Sequence, residues 1–130
     1  MIADLLLRDT ERNDPVPYAA TLTWHKTDPY AVELVLEMHD LTTRRFTFAR
    51  DLLIDGINEP VGEDGFLQVG PHIVDGYVTF VLPFDGGREF CAERAPVDTF
   101  LDRMCRAVPS IGAHAQAVED LDRWLAEVIA

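Results

Sequence analysis

The chain has 130 residues, with 11 Lys and Arg against 23 Asp and Glu, a formal charge of −12, and 48% of its residues are hydrophobic. That length suits a single domain over residues 1–130 that buries a core without disulfides or a structural metal, and the composition excludes a disordered chain. The acidic balance, with Lys26 the only lysine, argues against a duplex nucleic-acid reader and against a protein held to acidic lipid, since both need clustered cations.

The first two thirds predict strands. Ile2 to Leu7 opens as a short strand, and Asp14-Pro15-Val16-Pro17 interrupts it, because proline lacks the ladder donor. Tyr18 to Trp24 alternates, with Ala20, Leu22 and Trp24 on one face. Thr27-Asp28-Pro29-Tyr30 predicts a turn. Ala31 to His39 then puts Val32, Leu34, Leu36 and Met38 on the core side and Glu33, Val35, Glu37 and His39 on the other. Arg44 to Phe48 returns as its hairpin partner, with Phe46 and Phe48 inward. Ala49 to Gly56 predicts a short helix stopped by Gly56 in a left-handed conformation. Phe66 to Val69 is a brief strand ended by Gly70-Pro71. Gly76 to Phe84 and Arg88 to Glu93 form a hairpin across Asp85-Gly86-Gly87. The first of these two strands is apolar on both faces, Val78, Phe80, Leu82 and Phe84 against Tyr77, Val81 and Pro83. Its second face therefore needs a cover, either a helix or another subunit.

The last third predicts two helices. The first starts at Pro96 and carries Val97, Phe100, Leu101, Met104, Cys105 and Val108 on one stripe. Pro109-Ser110-Ile111-Gly112 ends it. The second runs from about Ala113 or Ala115 to Ile129, with Val118, Leu121, Trp124, Leu125 and Val128 on its apolar side and Glu119, Asp120 and Asp122 in its first half.

No catalytic set emerges. Glu33, Glu37 and His39 share a strand face, but positions i and i+4 on a strand lie about 13 Å apart, too far for one ion. The plain reading is a solvated face with Arg44 or Arg45 paired to Glu37. Asp98 and Asp102 are i, i+4 neighbours on a helix, near Arg94, Arg103 and Arg106, and read as a solvated face too. Ser110 is the only serine and lies in no GxSxG. Cys91 and Cys105 form no CxxC pair and read as reduced, partly buried thiols; Glu89 and Glu93 beside Cys91 are expected to raise its pKa. The glycines form no phosphate-binding loop. No catalytic residue, cofactor site or metal site is expected, and the partner-binding residues stay unassigned. No run of about 18 apolar residues predicts a membrane span. The stretch Met1 to Asp9 has an acidic flank and no basic start, so it is not expected to be a signal peptide. A cytoplasmic protein follows.

Two segments say more. Asp28-Pro29-Tyr30-Ala31-Val32 is followed, one strand later, by Phe48-Ala49-Arg50-Asp51-Leu52-Leu53, then Gly56 and Pro60, the run Phe66 to Pro71, Phe100-Leu101 and Val108-Pro109. This order and spacing resembles the SsgA-like family, the sporulation and cell-division regulators of actinomycetes, from Pro15-Val16-Pro17 to the C-terminal helix. Two positions depart from the family pattern. Gly70 precedes Pro71 where a bulky residue is usual, and the usual SPxG turn reads Pro83-Phe84-Asp85-Gly86-Gly87.

The resemblance implies an α+β fold: a strongly bent antiparallel sheet of about six or seven strands, similar to the whirly proteins, with a short helix after the fourth strand and two C-terminal helices packed on it. It also implies a homotrimer and a non-enzymatic regulator of sporulation-type division. Such a regulator would act through protein contacts with division-site partners such as the tubulin-like FtsZ or SsgA-like paralogues, at division septa. Asp28-Pro29 and Arg50-Asp51 make architectural sense as a turn and a strand-to-helix junction, with partner contact by Arg50 and Asp51 as the alternative. The whirly likeness also brings a second functional reading, a single-stranded nucleic-acid binder with Trp24, Tyr30 and Phe66 as stacking rings, for which the charge leaves little cationic groove.

Overall fold

A computed structural model describes residues 1–11 and 16–109. Seven strands appear in chain order: β1 (Ile2–Asp9), β2 (Tyr18–His25), β3 (Asp28–Glu37), β4 (Thr43–Ala49), β5 (Gln68–Pro71), β6 (Tyr77–Leu82) and β7 (Arg88–Glu93). Helix α1 (Arg50–Gly56) follows β4 and helix α2 (Arg94–Ala107) follows β7. The strands form one antiparallel sheet in the order β4-β3-β2-β1-β7-β6-β5. The fold is thus α+β with a curled seven-stranded sheet. The second C-terminal helix expected near residues 113–129 lies outside the described residues.

Alternation sets the two faces. In β2, Tyr18, Ala20, Leu22 and Trp24 are buried, and in β3, Val32, Leu34 and Leu36. Val78, Phe80 and Leu82 of β6 join the same core, and the α2 stripe Val97, Phe100, Leu101 and Met104 closes it. Each fully buried aliphatic or aromatic side chain contributes about 1.5–3 kcal/mol.

The sheet curls until its two edges nearly meet, and α1 fills the seam. This helix continues directly from the edge strand β4, yet it packs on the opposite edge strand β5. Midway along β4, Phe46 stacks on Phe84 of the β6–β7 turn at 6.0 Å between ring centroids. Gly56 makes the seam possible. It ends α1 without a positive φ, unlike the left-handed stop expected from sequence. Its role is close approach, since a Cβ there would sit 2.5 Å from the Val69 Cβ. Gly56→Ala is therefore expected to destabilise by about 1–3 kcal/mol through overpacking, although alanine alone favours a helix by up to about 1 kcal/mol. Chemical denaturation measures the difference, and a stabilised variant would contradict the tight seam. Gly70 has a similar cause: a Cβ there would meet the Pro60 Cα at 3.2 Å. The departure from the family pattern at this position fits a tight local packing.

Other boundaries moved. The β2–β3 turn is Lys26-Thr27, and Asp28-Pro29 already belongs to β3, where the Pro29 carbonyl accepts the Trp24 indole N–H at 2.9 Å. The β5 strand starts at Gln68 and includes Gly70-Pro71. Helix α2 starts at Arg94, two residues before Pro96, and ends at Ala107. The β3–β4 turn is held by Asp40, whose Oδ1 accepts from the Thr42 hydroxyl (2.6 Å) and N–H (3.0 Å), and these bonds lower its pKa. Leu41 at its tip has φ 70° and is exposed.

A candidate protein-contact surface beside two buried arginines

Two arginines that sequence logic places on the surface lie inside. Arg88 starts β7, and its Nη2 donates to Asp9 Oδ2 at 2.5 Å and to the Tyr18 hydroxyl at 3.2 Å. Both charged side chains are nearly sealed from water. The guanidinium also lies 5.1 Å from the Phe90 ring centroid, 5.3 Å from Phe84 and 5.5 Å from Tyr18, within cation–π range. Burial pulls the Arg88 pKa down, but hydrogen bonds to Asp9 and Tyr18 outweigh it and the net shift is upward. Asp9 Oδ1 accepts the Glu11 N–H at 2.9 Å. His39 stacks flat on Tyr18, 3.9 Å between centroids. His39 therefore does not share the strand face of Glu33 and Glu37 as the alternation predicts, because the chain leaves β3 at Glu37 and turns His39 onto the Tyr18 ring.

Arg50 is the other buried cation. Its Nη1 donates to the Val108 carbonyl at 2.6 Å and its Nη2 to the Pro109 carbonyl at 2.5 Å. Its guanidinium lies 5.7 Å from the Tyr30 ring centroid. Arg50 thus ties the start of α1 to the chain just beyond α2. With no exposed surface, its part is internal, which favours the architectural reading over direct partner contact. The signal for both arginines was the period-2 pattern: Arg50 follows Phe48 on the inward face, and Arg88 precedes Phe90 and Ala92 on theirs.

The remaining candidates are solvated. Arg45 pairs with Glu33 at 2.9 Å, rather than with Glu37. Arg44 lies over the Phe84 ring at 4.8 Å. Asp98 pairs with Arg94 and Asp102 with Arg106, both i, i+4 on α2 and both accessible. Among the described residues no group of three or more His, Cys, Asp or Glu is arranged to hold a metal ion.

Both cysteines are free, Cys91 buried and Cys105 half-buried. Burial pushes the Cys91 thiol up, Arg8 opposes and Glu89 adds to the rise. The fold thus favours the neutral thiol. Its contribution to stability is complete below the ordinary thiol range and is lost as pH rises through the raised value. At pH 8, Cys91 should alkylate more slowly than Cys105 in the folded protein, as peptide mass mapping after a short iodoacetamide pulse would show; equal rates would contradict the burial.

Trp24, Tyr30 and Phe66 do not build one stacking platform. Trp24 is in the core and Tyr30 lies against Arg50, while Phe66 stands out from the surface. Phe66 lies on the seam side of the molecule. There Pro60, Val61 and Gly62 wall two shallow depressions of about 330 and 730 Å³. Ile73, 97% exposed, rims the first, and Phe66, 68% exposed, the second. Val74 beside Ile73 is exposed too. Phe66 and Ile73 stand at opposite ends of β5, and exposed apolar side chains beside such depressions are candidates for an interaction surface. The outer face of β6, expected to need a cover, holds Tyr77, Thr79 and Val81 half-buried; α2 packs on the opposite, core side.

The comparisons with known proteins agree with this architecture. Residues 18–112 match the family model described as Streptomyces sporulation and cell division protein, SsgA. The chain is 38% identical over 118 residues to the sporulation-specific cell division protein SsgB of Frankia casuarinae, covering 88% of this chain and 80% of that one. It is 31% identical over 128 residues to SsgB of Streptomyces coelicolor, covering 96% and 90%. The solved structure of an SsgA-like sporulation-specific cell division protein from Thermobifida fusca superposes with a TM-score of 0.71 at 32% identity, over 98% of this chain and 92% of that one. A solved SsgB structure from work on longitudinal cell division in Streptomyces coelicolor gives 0.72 at 29% identity, over 84% and 90%. The chain belongs to the SsgA-like family of sporulation and cell-division proteins.

Proposed function

We propose that this protein is a non-enzymatic regulator of sporulation-type cell division that works as a homo-oligomeric adaptor, bringing septum machinery such as FtsZ to the division site. The observation that carries the reading is the family match along most of the chain to proteins of sporulation-specific division. The side chemistry supports it: the charged residues of the described part pair internally or face water, and large apolar side chains stand out around Phe66 and Ile73. We assign that flank to the contact with the division partner. In the described residues no helix is long and apolar enough to cross a membrane, so recruitment to a septum would run through protein contacts.

Purified protein incubated with FtsZ should be retained with it on a pull-down matrix, and light scattering should give a trimer of 14.6 kDa subunits. The double variant Phe66→Ser, Ile73→Ser should keep its stability within about 0.5 kcal/mol, because both side chains are already in water. It should lose retention at least tenfold. A chain that binds no division protein, and whose deletion leaves septation unchanged, would remove the reading.

A further inference from the structure

A second, separate surface follows from the way β1 is paired. Met1 exchanges both backbone hydrogen bonds with Trp24 at 3.0 Å, its amino group donating one and its carbonyl accepting the other. In an antiparallel ladder the bonded pairs alternate. Ala3, Leu5 and Leu7 therefore bond towards β2, and Ile2, Asp4 and Leu6 turn their N–H and C=O groups the other way. On that other side the ladder with β7 holds only Arg8 and Asp9. The reason is local: β7 ends at Glu93, and the chain bends at once into α2. From Leu6 back to Ile2, β1 has no described strand beside it on this side.

The space left is a trough. Two depressions of about 470 and 260 Å³ meet at Asp4 and Pro96. Asp4 and Leu6 of β1 line the trough together with Glu93, Pro96, Thr99 and Arg103 across from them, and the larger depression also opens over the sheet along Ala19, Thr21 and Glu37 of β2 and β3. Among the described residues, this strand is open on one side in the middle of the sheet, and its open side offers donors and acceptors at every second residue. The occupant that matches this repeat is another extended backbone, as in β-strand addition. Residues directly opposite in such a pair share a face. The outward side chains of β1 here are Ile2 (64% exposed), Asp4 and Leu6 (59% exposed).

We propose that this trough takes an extended segment of a partner protein, added as a strand to Ile2–Leu6, with a basic residue opposite Asp4 and apolar residues opposite Ile2 and Leu6. The inward positions of that segment lie over α2 and take small side chains. Pairing with β1 of a second copy is disfavoured, because β7 and α2 flank that β1 on the side that would have to pair. The site is separate from the flank carrying Phe66.

The test uses the whole protein and the blocked peptide Val-Ala-Lys-Ala-Val. Titrated into isotope-labelled protein, it should shift the amide signals of Ile2, Asp4 and Leu6, and protect them from hydrogen exchange. Methylating the lysine backbone nitrogen removes a donor aimed at β1 and should weaken binding at least tenfold. Methylating either alanine nitrogen, on the far edge, should change it less than threefold. Asp4→Lys should weaken binding by a similar tenfold, and the glutamate version of the peptide should bind worst. The Phe66→Ser, Ile73→Ser variant should bind the peptide unchanged, which separates this site from the FtsZ reading. The proposal fails if millimolar peptide leaves those amides unmoved, if both methylations cost the same, or if the three amides are already protected in the free protein at every dilution.

Discussion

Asp9→Ala should lower the unfolding free energy by about 3–5 kcal/mol, the usual cost of stranding one member of a buried ion pair. Arg88 would keep its three aromatic neighbours and the Tyr18 hydroxyl but lose its short bond to Asp9 Oδ2. Its Nε already lacks a hydrogen-bond partner while buried, so the site has little spare capacity to accept another loss. A domain of this kind has about 5–15 kcal/mol in total, and urea denaturation would read the drop directly. The double variant Asp9→Ala, Arg88→Met should recover much of it, because a flexible apolar side chain suits a cage of Tyr18, Phe84 and Phe90. A single-variant loss under about 1 kcal/mol would mean that water reaches the pair.

Arg50→Ala should cost about 3 kcal/mol, taking each hydrogen bond from a charged donor at about 1.5–3 kcal/mol and allowing for partial rehydration of the freed carbonyls. The loss should also have an address. Arg50 grips the Val108 and Pro109 carbonyls, so amides in the last turn of α2, around Met104 to Val108, should exchange faster. Arg50→Lys should restore less than half, since one ammonium on a flexible stem does not reproduce a planar fork on two successive carbonyls. A stability loss with unchanged exchange at the end of α2 would show that Arg50 acts on α1 alone.

The strands, their faces and the α2 stripe were legible because each rests on a local repeat: period 2 in β2, β3 and β6, and period 3.6 from Val97 to Met104. The sequence motif Phe48-Ala49-Arg50-Asp51-Leu52-Leu53 was legible as a junction. What the junction does was not, since the carbonyls that Arg50 holds lie 58 and 59 residues further on. Asp9 and Arg88 were hidden for a related reason. Charged residues default to the surface, and the first strand was read as ending at Leu7, two residues before the inward Asp9. Gly56 was misread because a glycine after a helix usually marks a left-handed turn, whereas here its value is the side chain it lacks. The flank proposed for partner contact left only a faint trace, since Phe66 and Ile73 both fall just outside β5.

The curl has a consequence for how the protein is made. Of the described strands β1 is made first, and it can pair early with β2, its neighbour in sequence. Its other partner, β7, is among the last strands to appear, with Asp9 and Arg88 79 residues apart. Until then the ion pair has no second half and the edges on either side of α1 have nothing to close against. Most of the core therefore waits for β6, β7 and α2, and folding should be governed by this long-range closure, slower than a helical protein of equal size. During that interval the nascent chain exposes the four-stranded half of its sheet to whatever else the cell is synthesising.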